Sequence, residues 1–355
     1  MTSFDTFHPV PLRRLISMLT NPFYAPEIVD YIGKSIPLWD AQRSSRTEDG
    51  VVYIFRPQVI LNCTLVSRMW RDIMLPILWH TYDDTARQSF RFVPCAILAR
   101  YGHLFKIVNM MSYNLNNSFE IEVNSLRIRE LVLRSDRYAH NYRLSCKFLR
   151  VLDIKADLIK NDQDYHRTDV VHIISPLSSL VKLCLRSYSF QSSELQDILH
   201  NKPIVGTLAL YSVRVSRFIV LTGISLGSLT VLHVQYCNFA QPILISLIQG
   251  APLLEDFSWW VSKTGFEGVH AISLGIKRLW PMTVKALLGR KDDVFELSLN
   301  WVVFDQSSTL LDLVAMMTRL RVLKLGICRC SMDDLDFLQT TLAENTEFMA
   351  WISYG

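Results

Sequence analysis

The chain reads as an α/β protein: a short three-helix segment near the N-terminal end, followed by a curved solenoid with a parallel sheet on its concave face. Three observations predict this. Apolar residues up to about residue 78 recur at helical spacing. Beyond residue 127 a hydrophobic-x-x-hydrophobic-x-hydrophobic pattern recurs instead. Half of the 355 residues are hydrophobic and only 20% are charged, so a large core can be buried.

The repeating pattern occupies "IRELVL" (128–133), "LRVLDI" (149–154), "LVKLCL" (180–185), "VGTLAL" (205–210), "LTVLHV" (229–234), "LEDFSW" (254–259), "VFELSL" (294–299) and "LRVLKL" (320–325). A degraded copy, "IKRLWP", stands at 276–281. Start-to-start spacings run from 18 to 31 residues, the central ones near 25. The segment "LTVLHVQYCNF" places Leu229, Leu232, Val234, Cys237 and Phe239 at every position of a leucine-rich repeat. Helical stretches follow some strands: "QPILISLIQG" sets Leu244, Leu247 and Ile248 on one face, and "SSTLLDLVAMM" does so with Leu310, Leu313, Val314 and Met317. One strand and one helix per unit give a solenoid in which each repeat leans on its neighbours. The repeat domain is expected over 100–355, with "YGHLFKIVNM" (101–110) as a worn first unit and another strand within 344–355.

Before the repeats, "NPFYAPEIVDYIGKSI" (21–36) is an amphipathic helix. Pro26 suits a first-turn position where its missing N–H costs nothing, and Glu27 favours the positive helix start. Ile28, Ile32 and Ile36 follow at i, i+4 and i+8. "PQVILNCTLV" is short, apolar and helical in composition. In "SRMWRDIMLPILW", Ser67 is the expected N-cap, and Val66, Met69, Trp70, Ile73, Met74 and Ile77 share one arc opposite Arg68, Arg71 and Asp72. Pro76 is expected to end the helix.

Pro26-Glu27-Ile28, then Cys63-x-Leu65-Val66-Ser67-x-x-Trp70-Arg71 and Leu78-Trp79, resemble an F-box, most closely that of fungal F-box proteins with leucine-rich repeats. The resemblance covers residues 22–79. It implies a three-helix domain that docks on a Skp-type adaptor and through it a cullin. The chain would then be the substrate-receptor subunit of an SCF-type ubiquitin ligase, with Pro26, Glu27, Ile28, Ile32, Leu65, Val66, Trp70 and Leu78 facing the adaptor. Residues 37–56, "PLWDAQRSSRTEDGVVYIFR", depart from a compact F-box and read as an insertion loop with a solvated centre at Gln42–Gly50.

The alternative is a leucine-rich-repeat scaffold or inhibitor unconnected with ubiquitin, its N-terminal helices only a cap. In either case the residues between the consensus leucines carry recognition, because side chains alternate along a strand. These are Val132 and Arg134, Asp153 and Lys155, Cys184 and Arg186, Ala209 and Tyr211, His233 and Gln235, Ser258 and Trp260, Ser298 and Asn300, Lys324 and Gly326. Among them Arg186, Tyr211, His233, Gln235, Trp260 and Asn300 form the expected substrate surface, since interfaces favour aromatic residues and arginine.

Other chemistry finds little footing. A net charge of +4 without a basic block does not point to nucleic acid. Seven cysteines without a Cys-x-x-Cys read as reduced thiols rather than a disulfide framework or zinc site. The Asp333-Asp334-x-Asp336 run lacks the glycine of a calcium loop and reads as a helix start. No cofactor or metal is expected. The longest clean apolar run, "FIVLTGISL", is too short to span a membrane, and no secretory leader is recognisable, so a cytoplasmic or nuclear protein is expected. "GISLG" (223–227) matches a serine nucleophile elbow, but "LTVLHV" follows where a helix is needed, so an enzyme is not expected.

Overall fold

The computed structural model describes residues 25–43, 51–83, 95–110, 128–133, 148–156, 171, 174–202, 204–216, 223–237, 241–260, 282–299, 307–328, 332–342 and 346–352. The chain divides into two compact units, Met1–Arg127 and Ile128–Gly355.

The first unit begins with α1 (Ala25–Ser35), which carries Glu27 in its first turn and Lys34 in its last, both favourable to the helix dipole. The 37–56 insertion is not wholly a loop. Its two ends form an antiparallel hairpin, the mostly polar β1 (Trp39–Arg43) with the apolar, β-branched-rich β2 (Val51–Phe55), in which Gln42 pairs with Val52. Then come α2 (Gln58–Thr64) and α3 (Arg68–Leu78). Ser67 caps α3 as expected, its side chain accepting from the Trp70 amide.

Pro76 does not end α3. The helix runs on to Leu78, and the Trp79 amide donates to the Leu75 carbonyl at 2.9 Å. Only the bond that a residue-76 amide would have made is lost, and the ring sits on an exposed face. Met74 and Leu78 are buried on the opposite side. After α3, β3 (Thr81–Asp83) pairs in parallel with β4 (Ile107–Met110), and α4 (Cys95–Tyr101) lies between them in sequence. Trp79 stacks on Tyr101 at 5.2 Å and meets the edge of Phe105, which also packs on Tyr82.

The second unit is built on a parallel sheet. Its described strands are β5 (Glu130–Leu133), β6 (Val151–Lys155), β7 (Lys182–Arg186), β9 (Thr207–Tyr211), β11 (Val231–Gln235), β12 (Asp256–Trp260), β13 (Glu296–Leu299), β14 (Val322–Cys328) and β15 (Glu347–Ile352), adjacent in that order. Every described pairing among them is parallel. The eight pattern segments each supply one strand in common register. Leu131, Leu152, Leu183, Leu208, Leu232, Phe257, Leu297 and Leu323 form one row across the sheet, all at most 2% exposed. The first apolar residue of each segment, from Ile128 to Leu320, is buried too. β12 pairs directly with β13; the degraded copy at 276–281 lies outside the described residues.

Helices α5 (Ser192–His200), α6 (Gln241–Gly250), α7 (282–288), α8 (Ser307–Met316) and α9 (Met332–Thr341) connect the strands. Ile243, Leu244, Leu247 and Ile248 of α6 are buried as the spacing predicts. A second parallel pair, β8 (Ser189–Gln191) with β10 (Arg214–Ser216), follows two of the strand ends. Ser187, Ser212 and Tyr236 adopt positive φ immediately after β7, β9 and β11. Each still donates its amide to the end of the next strand: Ser187 to Tyr211, Ser212 to Gln235, and Tyr236 to Trp260. The left-handed residue thus turns the chain without leaving its N–H unpaired.

Within the second unit, polar side chains bridge successive repeats of the sheet. Lys202 is 5% exposed, and its Nζ donates to the carbonyls of Ser175 and Leu177 at 2.8 and 2.9 Å. Cys237, which follows β11, donates its thiol to the carbonyls of Leu210 and Gln235. Among the described residues no helix is long and apolar enough to cross a membrane.

Candidate functional site

Two surfaces stand out, one on each unit. On the first, large apolar side chains are exposed along the three helices: Tyr31 and Ile32 of α1, Val59 and Leu61 of α2, Leu65 and Val66 between α2 and α3, and Met69 of α3. Leu65 and Val66 are 83% and 64% exposed, unusual values for such residues beside well-packed helices.

Of the residues expected to face an adaptor, Pro26, Glu27, Ile32, Leu65 and Val66 are exposed, while Ile28 and Trp70 are half-buried. Leu78 is different. At 2% exposure it belongs to the unit's own core, because Pro76 leaves α3 helical and turns Leu78 inward beside Met74. The apolar arc of α3 is therefore split: Met74 and Leu78 hold the unit together, while Met69 remains open. Tyr31, Val59 and Leu61 were not expected. Exposed apolar residues of short helices look like core residues in sequence. On the far side of α1, a cavity of about 780 Å³ opens between Pro26, Asp30 and Lys34 of α1 and Ile73, Pro76 and Ile77 of α3.

On the second unit, the polar face of the sheet carries three rows. The first runs Lys182, Thr207, Val231, Asp256, Glu296; the second Asp153, Cys184, Ala209, His233, Ser258, Ser298, Lys324; the third Lys155, Arg186, Tyr211, Gln235, Trp260. The structure thus brings Arg186, Tyr211, Gln235 and Trp260 into one line, with His233 in the row beside it. Asn300 lies outside the described residues.

The second row is less open than side-chain alternation implies. Cys184, Ala209, Ser258 and Ser298 are 3–5% exposed, because larger neighbours in the flanking rows cover them. Diagonal pairs lock this face. Arg186 donates Nε and Nη2 to the Asp153 carboxylate at 2.7 and 2.9 Å, and its guanidinium lies 4.2 Å above the Tyr211 ring. His233 Nε2 sits 2.9 Å from Asp256 Oδ2, and Lys324 donates to Glu296 at 2.6 Å. The Trp260 indole, half-buried rather than fully exposed, donates to Ser298 Oγ at 2.8 Å.

These surroundings raise the pKa of several groups. Burial, then the Asp153 charge, pushes the Cys184 thiol well above the ordinary range. Burial likewise raises Tyr211 and pushes Cys237 up to about 12. Both thiols stay protonated at neutral pH and are poor nucleophiles.

The Gly223–Gly227 segment has a structural task. Ile224 lies against Gly250 at the end of α6, and the Leu226 amide donates to the Gly250 carbonyl. β11 follows rather than a helix, so no helix N-terminus stands after Ser225 to hold an oxyanion. Among the described residues no three His, Cys, Asp or Glu side chains are grouped to hold a metal ion. No protein-family model matches the chain, and no curated protein matches its sequence.

Proposed function

We propose that the chain is a substrate-receptor subunit of a cullin-based ubiquitin ligase. Residues 22–79 act as an F-box that docks a Skp-type adaptor, and the leucine-rich repeats hold a substrate protein on the polar face of their sheet. The observation that supports this most is the coincidence of two features. The stretch carrying the F-box-like motif also exposes Tyr31, Ile32, Val59, Leu61, Leu65, Val66 and Met69. Burying a side chain of that size stabilises by about 1.5–3 kcal/mol, so a partner covering several of them gains a large apolar contribution. Ubiquitin transfer takes place on other subunits, and this chain contributes by holding the substrate near the charged carrier.

One observation favours the alternative, a repeat scaffold or inhibitor unconnected with ubiquitin. Leu78 and Trp79, the end of the motif, are buried in the unit's own packing and unavailable to a partner. A co-purification experiment separates the two readings. The full chain retains a Skp-type adaptor under the ligase reading, and a Leu65→Asp, Val66→Asp variant loses it. A folded wild-type chain that retains no adaptor leaves the scaffold reading in place.

A further inference from the structure

We propose that the partner held on the sheet is an extended protein segment of mixed charge, its acidic end over β6–β7 and its basic end over β12–β13. The inference rests on reading that face as the substrate surface and names the kind of substrate it fits.

The charges on the face are sorted along the sheet. Lys155 of β6 stands directly across from Arg186 of β7, and Lys182 lies on the same face of β7. Asp153 is taken up by Arg186, while Lys155 and Lys182 make no ion pair among the described residues, and Glu130 of β5 is the one further carboxylate described on this part of the face. At the other end the acids dominate. Asp256 and Glu296 are cross-strand neighbours in one row; Glu296 is paired with Lys324 at 2.6 Å, Asp256 lies 2.9 Å from His233, and Glu347 adds an exposed carboxylate on β15, so three acids stand beside one lysine. Between the two ends stand Tyr211 of β9 and Gln235 of β11, and Trp260 follows on β12; they offer aromatic rings and an amide.

Five strand-to-strand steps separate β6 from β13, about 24 Å at ~4.8 Å per step. That is roughly three Debye lengths at physiological salt, so each end acts as its own local field rather than averaging with the other. An extended chain covers the distance with about seven residues at ~3.3 Å each. A segment with acidic and basic residues that far apart, and apolar or aromatic ones between, is complementary to the whole face. A segment of one sign meets repulsion at one end.

The test uses the full-length protein and three synthetic peptides carrying an uncharged fluorophore. One has glutamates and arginines at opposite ends of a Ser/Leu/Tyr centre; the others carry glutamates only or arginines only. Fluorescence anisotropy at low and high salt is expected to show the mixed peptide binding about tenfold tighter than either counterpart, less so at high salt. Lys155→Glu with Lys182→Glu reverses the field over β6–β7, so it weakens the mixed peptide about tenfold and favours the arginine-only one. Circular dichroism checks that the variant is folded. Equal binding of all three peptides, no binding of the mixed peptide, or an unchanged order in the folded variant overturns the proposal. Adaptor retention is read separately on the same protein. A chain that keeps the adaptor but fails with the peptides loses only this inference. One that binds the mixed peptide without the adaptor loses only the ligase reading.

Discussion

Arg186 holds the Asp153 carboxylate side-on across two neighbouring strands, with Nε and Nη2 on its two oxygens at 2.7 and 2.9 Å. The two residues are 33 positions apart in sequence and become neighbours because Asp153 registers with Cys184 and Lys155 with Arg186. Both side chains are less than a third exposed. Arg186→Ala therefore leaves a carboxylate without its fork and lowers stability by about 1–3 kcal/mol. Arg186→Lys recovers only part of this, since an ammonium cannot make both bonds in one plane. Chemical denaturation of the single and double variants should give a coupling of about 1–2 kcal/mol; additive losses would mean that the pair contributes nothing of its own.

Gly250 and Gly33 are both tightly packed, but with different consequences. A Cβ on Gly250 would lie 2.9 Å from the Ile224 carbonyl oxygen, a backbone atom. Gly250→Ala is expected to lower stability by about 1–3 kcal/mol. A Cβ on Gly33 would meet Ile77 Cδ1 at 2.5 Å and Met74 Sδ at 2.7 Å, the ends of movable side chains. There the gain in helix propensity, about 1 kcal/mol, offsets much of the clash, so Gly33→Ala stays within about 1 kcal/mol of wild type. Urea denaturation of the two variants checks the order.

Ser212 adopts φ 54° and is exposed. That backbone conformation disfavours any residue with a Cβ. Ser212→Gly should raise stability by about 0.5–1 kcal/mol, and Ser212→Val should lower it. A thermal melt that ranks them the other way contradicts the left-handed turn after β9.

Two thiols, the buried Cys184 and the half-buried Cys237, make stability fall in alkali. In the unfolded chain a cysteine ionises near 9.0, while burial holds the Cys237 proton to about 12 and the Cys184 proton higher still. Above about pH 9 the unfolded state sheds protons that the folded state keeps, so stability declines as pH rises toward the folded values. The denaturation midpoint of Cys184→Ala, Cys237→Ala should start lower but fall less steeply there. Parallel slopes would assign the decline to other groups.

Much of the fold was legible because the repeat writes the same three apolar positions into every unit. Leu229, Leu232 and Val234 are all buried, as are their equivalents in the other seven segments. Ser67 was legible as a cap because its effect is local, reaching only three residues to Trp70. The errors share a cause: they depend on neighbours distant in sequence. Pro76 continues a helix because its ring happens to face solvent, and Leu78 turns inward with it. The hairpin at β1–β2 rests on pairing across residues that read as a polar loop. On the sheet, Arg186, His233 and Trp260 were picked out as recognition residues, but their bonds to Asp153, Asp256 and Ser298 follow only from cross-strand register.

The most direct test of the central claim is the affinity of the full-length chain for a purified Skp-type adaptor, measured by isothermal titration calorimetry. The comparison is Leu65→Asp, Val66→Asp, at two largely exposed positions, with circular dichroism to check that the variant is folded. The account predicts tight binding with a negative heat-capacity change, weakened by about a hundredfold or more in the variant. A folded wild-type chain that gives no binding heat at several temperatures, or a variant that binds as well as wild type, would contradict it.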